Sequence, residues 1–116
     1  MLCRGVRGAT TADENSKDAI LTATRQLLAL MIRCRRLDRE CMALQRQGEL
    51  TVYPPFEGQE GAQVGSAAAL ATGDMAFPTF RELAAAVVRG VDVVSYLEYH
   101  RGTWHGGPYD MDAHGF

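Results

Sequence analysis

Arginines, histidines and cysteines are the chain's candidates for chemistry. Arg81 follows a Thr79-x-x-Glu82 pattern that sets a helix start. An arginine there can hold a phosphate, because the free N–H groups of a first helical turn also face outward. The alternative is a solvated side chain. Arg4 and Arg7 flank a short alternating segment beside a glycine. Paired guanidiniums suit a dicarboxylate. His100, His105 and His114 lie near Asp110 and Asp112. Those are metal-donor types, but their spacing matches no recognised ligand set, and a surface loop is the plainer reading. Cys34 and Cys41 stand one heptad apart on an apolar stripe. Buried structural thiols fit that position better than nucleophiles, with Arg33, Arg35 and Arg36 the only nearby groups to lower a thiol pKa. No GxGxxG, P-loop, HExxH or GxSxG pattern occurs.

These residues need elements to position them. Residues 2–7 alternate apolar and polar or small side chains and predict a short strand. Thr11 with Glu14 predicts a helix start. Ile20, Ala23, Leu27, Leu30, Cys34, Leu37, Cys41 and Leu44 then recur at spacings of three and four. That is one apolar stripe along a helix of up to about nine turns, closed by Gly48. A break near Ile32–Arg36 would make it two helices. The stripe also suits self-association as a coiled-coil seam. Pro54 and Pro55 predict a loop over residues 49–57. Gly61, Gly65, Ala68 and Ala69 predict a small face for tight packing. A helix from Thr79 to about Arg89, closed by Gly90, and another from Val93 to about His100, capped by Asp92 and ended by Gly102, complete the ordered part. A Gly-rich tail follows. The chain stops at Phe116 in mid-loop, which predicts a truncated polypeptide.

The whole is 116 residues, 47% hydrophobic and 22% charged, with net charge −2. One small domain or a piece of a larger one fits that length. Disorder and low complexity do not fit the composition. No apolar run reaches the roughly 18 residues of a membrane span. No secretory leader is legible, and three cysteines without a CxxC suit a reducing cytoplasm. The weakly acidic total offers no nucleic-acid footprint. Charge is uneven: residues 1–48 carry nine basic and five acidic side chains, and residues 49–116 carry three and nine. A basic arm for an anion and a solvated helix face both account for that.

Two resemblances appear. Arg4-Gly5-Val6-Arg7-Gly8-Ala9-Thr10-Thr11 and the helix after it resemble the start of the small trimeric chorismate mutase family. There Arg7 matches a substrate-binding arginine, and the implied activity is conversion of chorismate to prephenate. The rest of that site, on later strands and a neighbouring subunit, has no counterpart here. From about Met31, Arg35-Arg36-Leu37-Asp38-Arg39-Glu40, Phe56-Glu57-Gly58-Gln59-Glu60, Gln63-Val64-Gly65-Ser66 and Phe77-Pro78-Thr79-Phe80-Arg81-Glu82-Leu83 resemble another family. It is the N-terminal region of the alpha subunit of the thiamine-diphosphate-dependent decarboxylating component of pyruvate or branched-chain 2-oxo acid dehydrogenases.

The second resemblance covers more than two thirds of the chain. It implies a fragment of a thiamine-diphosphate-binding α/β fold, a beta-subunit partner, and thiamine diphosphate with magnesium as cofactors. It implies cofactor contact at Phe80 and Arg81, where the family has a Tyr-Arg pair, and a substrate mouth near Tyr53 and Gln59. The family's Gly-Asp-Gly metal motif would lie beyond Phe116. The resulting expectation is a mainly α chimera, with residues 1–32 mutase-like and 33–116 dehydrogenase-like. It has a short N-terminal strand, one long helix, three shorter helices and a Gly-rich tail. The lead function is a truncated alpha subunit, inactive alone. Chorismate mutase and a non-catalytic helical interaction module are the alternatives.

Overall fold

The computed structural model describes residues 10–103, 107, 108 and 110–115. The expected strand over residues 2–7 lies outside them, as do Arg4, Arg7 and His105. Five helices follow one another: α1 (Thr10–Arg46), α2 (Glu60–Ala69), α3 (Leu83–Val88), α4 (Val93–Arg101) and α5 (Met111–His114). No strand occurs among the described residues.

Helix α1 has 37 residues and no break. The break expected near Ile32–Arg36 is absent because neither glycine nor proline occurs between Thr10 and Gly48. Lys17–Asp13 and Arg36–Glu40 ion pairs, each 2.7 Å, lie along its surface one turn apart. The helix stops where expected. Gly48 takes φ 80°, donates its N–H to Gln45, and lets Glu49 donate back to Leu44. A side chain with a Cβ resists that left-handed geometry.

The apolar stripe divides in two. Cys34 and Cys41 are fully buried, and Leu27, Leu30, Leu37 and Leu44 are half-buried. Ile20 is 62% exposed, and Ala23 is exposed as well. The shorter helices pack only on the C-terminal half of α1. There Leu50, Tyr53, Phe56, Val64, Leu83 and Tyr96 close the core.

Helix α2 buries Glu60, Gln63, Val64 and Ala67, one face by the three-four spacing. The small face of Gly61, Gly65, Ala68 and Ala69 points to solvent instead of into close packing. Only Gly61 has a neighbour near its missing Cβ, Met31 Cε at 3.5 Å. The polar pair Glu60 and Gln63 goes inward because each finds partners on another element.

Helix α3 is shorter than expected. The Glu82 carboxylate accepts from the Thr79 hydroxyl at 2.7 Å and from the Arg81 N–H at 3.1 Å. It is thereby diverted from the reciprocal cap that would start a helix at Thr79. Helix α4 follows its caps: Asp92 accepts from the Ser95 N–H at 2.8 Å, and Gly102 closes it at φ 82°. The tail contains one helical turn, α5, which the Asp110 carboxylate caps through the N–H groups of Asp112 and Ala113.

Candidate functional site

Asp38 lies on α1 among the buried thiols, and its side chain is fully buried. Its Oδ1 accepts from the Tyr53 hydroxyl at 2.8 Å and from the Phe56 N–H at 3.0 Å. Its Oδ2 has no hydrogen-bond partner. One carboxylate thus pins residues 53 and 56 on either side of Pro54 and Pro55. Burial raises the Tyr53 hydroxyl far above its ordinary pKa, with Cys41 and Asp38 adding to the effect. The phenol therefore stays protonated and acts as a donor. Tyr53, expected near a substrate mouth, is 3% exposed and lies in the core.

His100 fixes the start of the same loop. Its carbonyl accepts from the Thr51 N–H and hydroxyl, and its Nδ1 lies 2.7 Å from the Val52 carbonyl. His114 instead accepts from the Asp110 N–H through Nδ1. His105 lies outside the described residues, and no group of three histidine, cysteine or acidic ligands occurs among the described ones.

The loop presents the Pro55 carbonyl to Arg81, whose Nη1 donates to it at 2.7 Å. The Phe80 ring lies 5.4 Å from the guanidinium carbon and is 70% exposed. An arginine over an aromatic face is held by the ring quadrupole. The Arg81 carbonyl accepts from Gln63 Nε2 at 3.2 Å, and the same Nε2 donates to Gln59 Oε1 at 3.2 Å. Gln63 Oε1 accepts from the Ala84 N–H at 3.0 Å, satisfying a free donor of the first turn of α3. Gln59, Phe80 and Arg81 are therefore brought into one cluster, and Tyr53 supports it from beneath.

Charge settles the asymmetry seen in the sequence. Arg35 meets Glu60 through two bonds of 2.7 Å, Arg39 pairs with Glu57 at 2.7 Å, and Arg101 pairs with Glu49 at 2.9 Å. Arg35 and Arg39 of α1 thus neutralise two acids of the second half, while Arg101–Glu49 pairs within it. The Arg35 guanidinium holds the Glu60 carboxyl down to about 2 against the opposing effect of burial. Arg81 differs from these: no carboxylate lies in ion-pair range of it among the described residues.

The two described thiols are buried in the core. Burial pushes Cys41 up to about 11 and raises Cys34, where Arg33 opposes the shift. Asp38 and Gln63 carry much of this site, yet neither was singled out from the sequence. Asp38 had a signal: it lies four residues after Cys34 and three before Cys41, on the apolar face. Gln63 entered only within the Gln63-Val64-Gly65-Ser66 resemblance, because its partners at Arg81 and Ala84 lie 18 and 21 residues away.

Residues 11–113 match the family described as Dehydrogenase E1 component. The chain is 45% identical over 104 residues to 3-methyl-2-oxobutanoate dehydrogenase subunit alpha of Mycobacterium tuberculosis, covering 89% of this chain and 28% of that protein. It is 31% identical over 91 residues to the pyruvate dehydrogenase E1 component subunit alpha of Bacillus subtilis, covering 77% and 24%. The Bacillus cereus protein of that name is 33% identical over 91 residues, covering 77% and 24%. The chain therefore spans less than a third of the length of these relatives. No solved structure matches. The matched span takes in residues 11–32 of the segment expected to be mutase-like, and nothing in these comparisons supports the chorismate mutase resemblance.

Proposed function

The chain belongs to the dehydrogenase E1 component family, and on that premise we propose that it supplies the diphosphate-facing portion of a 2-oxo acid dehydrogenase alpha subunit. The relative at 45% identity supports a branched-chain 2-oxo acid as the substrate class. The reading also takes a beta subunit as partner and the cytoplasm as compartment. Among the described residues no helix is long and apolar enough to cross a membrane.

The observation that carries this reading is Arg81: a half-buried cation, steered by the Pro55 carbonyl, with no carboxylate to neutralise it. Such a group is preorganised for an anion, because little ordering remains to be done on binding. Its remaining N–H donors suit a diphosphate oxygen. Phe80 stands where the resemblance places a tyrosine, so it contributes a ring face to Arg81 and no hydroxyl. Gln59 adds an amide beside the same loop.

These residues fit the diphosphate of thiamine diphosphate, with Arg81 as the holding group. When bound, that cofactor supplies the carbanion chemistry that releases carbon dioxide from a 2-oxo acid. Magnesium is a different matter: no group of three histidine, cysteine or acidic ligands that could hold it occurs among the described residues.

The test is a titration of the chain with inorganic pyrophosphate, followed by calorimetry, alongside co-purification with a beta subunit. Binding that Arg81→Ala abolishes supports the reading. Pyrophosphate binding that is indifferent to Arg81→Ala overturns it.

The N-terminal half of α1 favours a second reading, a helical interaction module. On the stripe there, Ile20 is 62% exposed and Ala23 is exposed as well. A single species at all concentrations in sedimentation would remove self-association through that stripe.

A further inference from the structure

We propose that Gln63 is the positioning residue for Arg81. The proposal rests on the reading of Arg81 as the anion-facing cation and assigns what holds that cation in place.

The Gln63 side chain is 5% exposed, and its amide is fully employed. Both N–H donors of Nε2 are taken, one by Gln59 Oε1 and one by the Arg81 carbonyl. Oε1 takes the Ala84 N–H. The orientation of the amide is settled by chemistry: a backbone N–H only donates and a carbonyl only accepts, so the oxygen must face Ala84 and the nitrogen Arg81. A single α2 side chain therefore reaches both sides of the turn that carries Arg81.

Arg81 has two attachments beyond its own turn. Its guanidinium lies on the Pro55 carbonyl, and its own carbonyl lies on Gln63. The first fixes the head only if the second fixes the backbone, since an arginine side chain has enough rotatable bonds to wander when its Cα moves. A buried amide with all its partners satisfied is costly to rearrange. The Pro55 end is in turn pinned through Phe56 and Tyr53 on Asp38.

The distinguishing variant is Gln63→Glu. It keeps the size and the acceptor for Ala84, but places a second acceptor against the Arg81 carbonyl. The full chain, labelled with 15N-arginine, reports each guanidinium by its Nε–Hε and Nη–Hη signals. Arg35, held by Glu60 on the opposite end of α2's first turn, serves as the control for an intact fold.

The expected result is that exchange of the Arg81 Nη1 protons, which bond the Pro55 carbonyl, rises about tenfold in Gln63→Glu, the loss of about one protecting bond, with Arg35 unchanged. Unchanged exchange at both arginines overturns the proposal. If the Arg35 signal is lost, Gln63→Asn, one methylene shorter, is read by the same criterion. Inorganic pyrophosphate separates the two readings. Wild-type chain that ignores pyrophosphate while Arg81 order depends on Gln63 sinks the diphosphate reading and leaves Gln63 as the holder of Arg81.

Discussion

The Arg35 guanidinium grips the Glu60 carboxylate through two parallel bonds of 2.7 Å, one to each oxygen, across a gap of 25 residues. Glu60 is 2% exposed and also accepts from the Gly58 N–H at 3.0 Å. The pair joins the middle of α1 to the first turn of α2, and the Gly58 bond fixes the turn that feeds it. A bidentate arginine–carboxylate contact carries direction as well as charge.

Stability should fall with acid at this pair. The Glu60 carboxyl is held near 2 against an ordinary 4.5, so the folded state releases its proton more readily than the unfolded state. Its contribution is complete above the ordinary value and fades as pH drops from there toward 2. Glu57 and Asp92, also lowered, shift in the same sense. Urea unfolding over a pH series reads this fall. Glu60→Gln should cost about 2 kcal/mol at neutral pH and flatten the acid limb. An acid limb of unchanged steepness would count against the pair.

Removing the hydroxyl of Tyr53 should be expensive for so small a change. Tyr53→Phe leaves the buried Asp38 carboxylate with the Phe56 N–H as its one remaining donor. The expected cost is about 1–3 kcal/mol, the range for stranding a buried acceptor. Chemical denaturation checks it, and a cost near zero would show the phenol bond to be energetically idle.

The two core thiols should resist alkylation. With Cys41 raised to about 11 from 9.0, its thiolate fraction near pH 8 falls roughly a hundredfold. Peptide mapping after iodoacetamide should show Cys34 and Cys41 unlabelled in the folded chain and labelled in urea. Fast labelling in the folded chain would contradict the burial.

Gly115 should not tolerate a side chain. At φ 69° a Cβ would lie 2.5 Å from Arg89 Nη2 and 2.6 Å from the Asp74 carbonyl. Gly115→Ala should cost about 1–3 kcal/mol locally. Because the Gly115 carbonyl accepts from the Ala76 N–H at 2.7 Å, amide exchange at Ala76 reports the damage directly. Arg89, which donates to the His114, Ala71 and Asp74 carbonyls, should lose its hold on the tail at the same time.

Local chemistry was legible in the sequence and distant pairing was not. Asp92 and Gly102 bound α4 because a cap and a left-handed glycine act within one turn. The stripe from Ile20 to Leu44 announced α1, but not that only its C-terminal half would be covered, since coverage depends on helices 20 or more residues away. Thr79 and Glu82 formed the right pair and misplaced the helix, because Glu82 bonds to side chain and backbone in a turn instead of capping one. In the site, Arg81 carried a signal of its own. Phe80 and Gln59 were reached only through the family resemblance. Asp38 stood in the spacing unread, and Gln63 is intelligible only once the α3 turn is seen above it.

The uncovered reach of α1 has a hydrodynamic consequence. The molecule measures 81 × 30 × 18 Å, and a helix of 37 residues, about 55 Å by its rise, can lie only along the longest of these. Such a body spins quickly about its long axis and turns slowly end over end. The N–H bonds of α1 run nearly parallel to that axis, so spinning leaves them where they were. Their magnetisation decays with the slow rotation alone, as it would in a globule much heavier than 12.7 kDa, while any N–H bond lying across that axis decays more slowly.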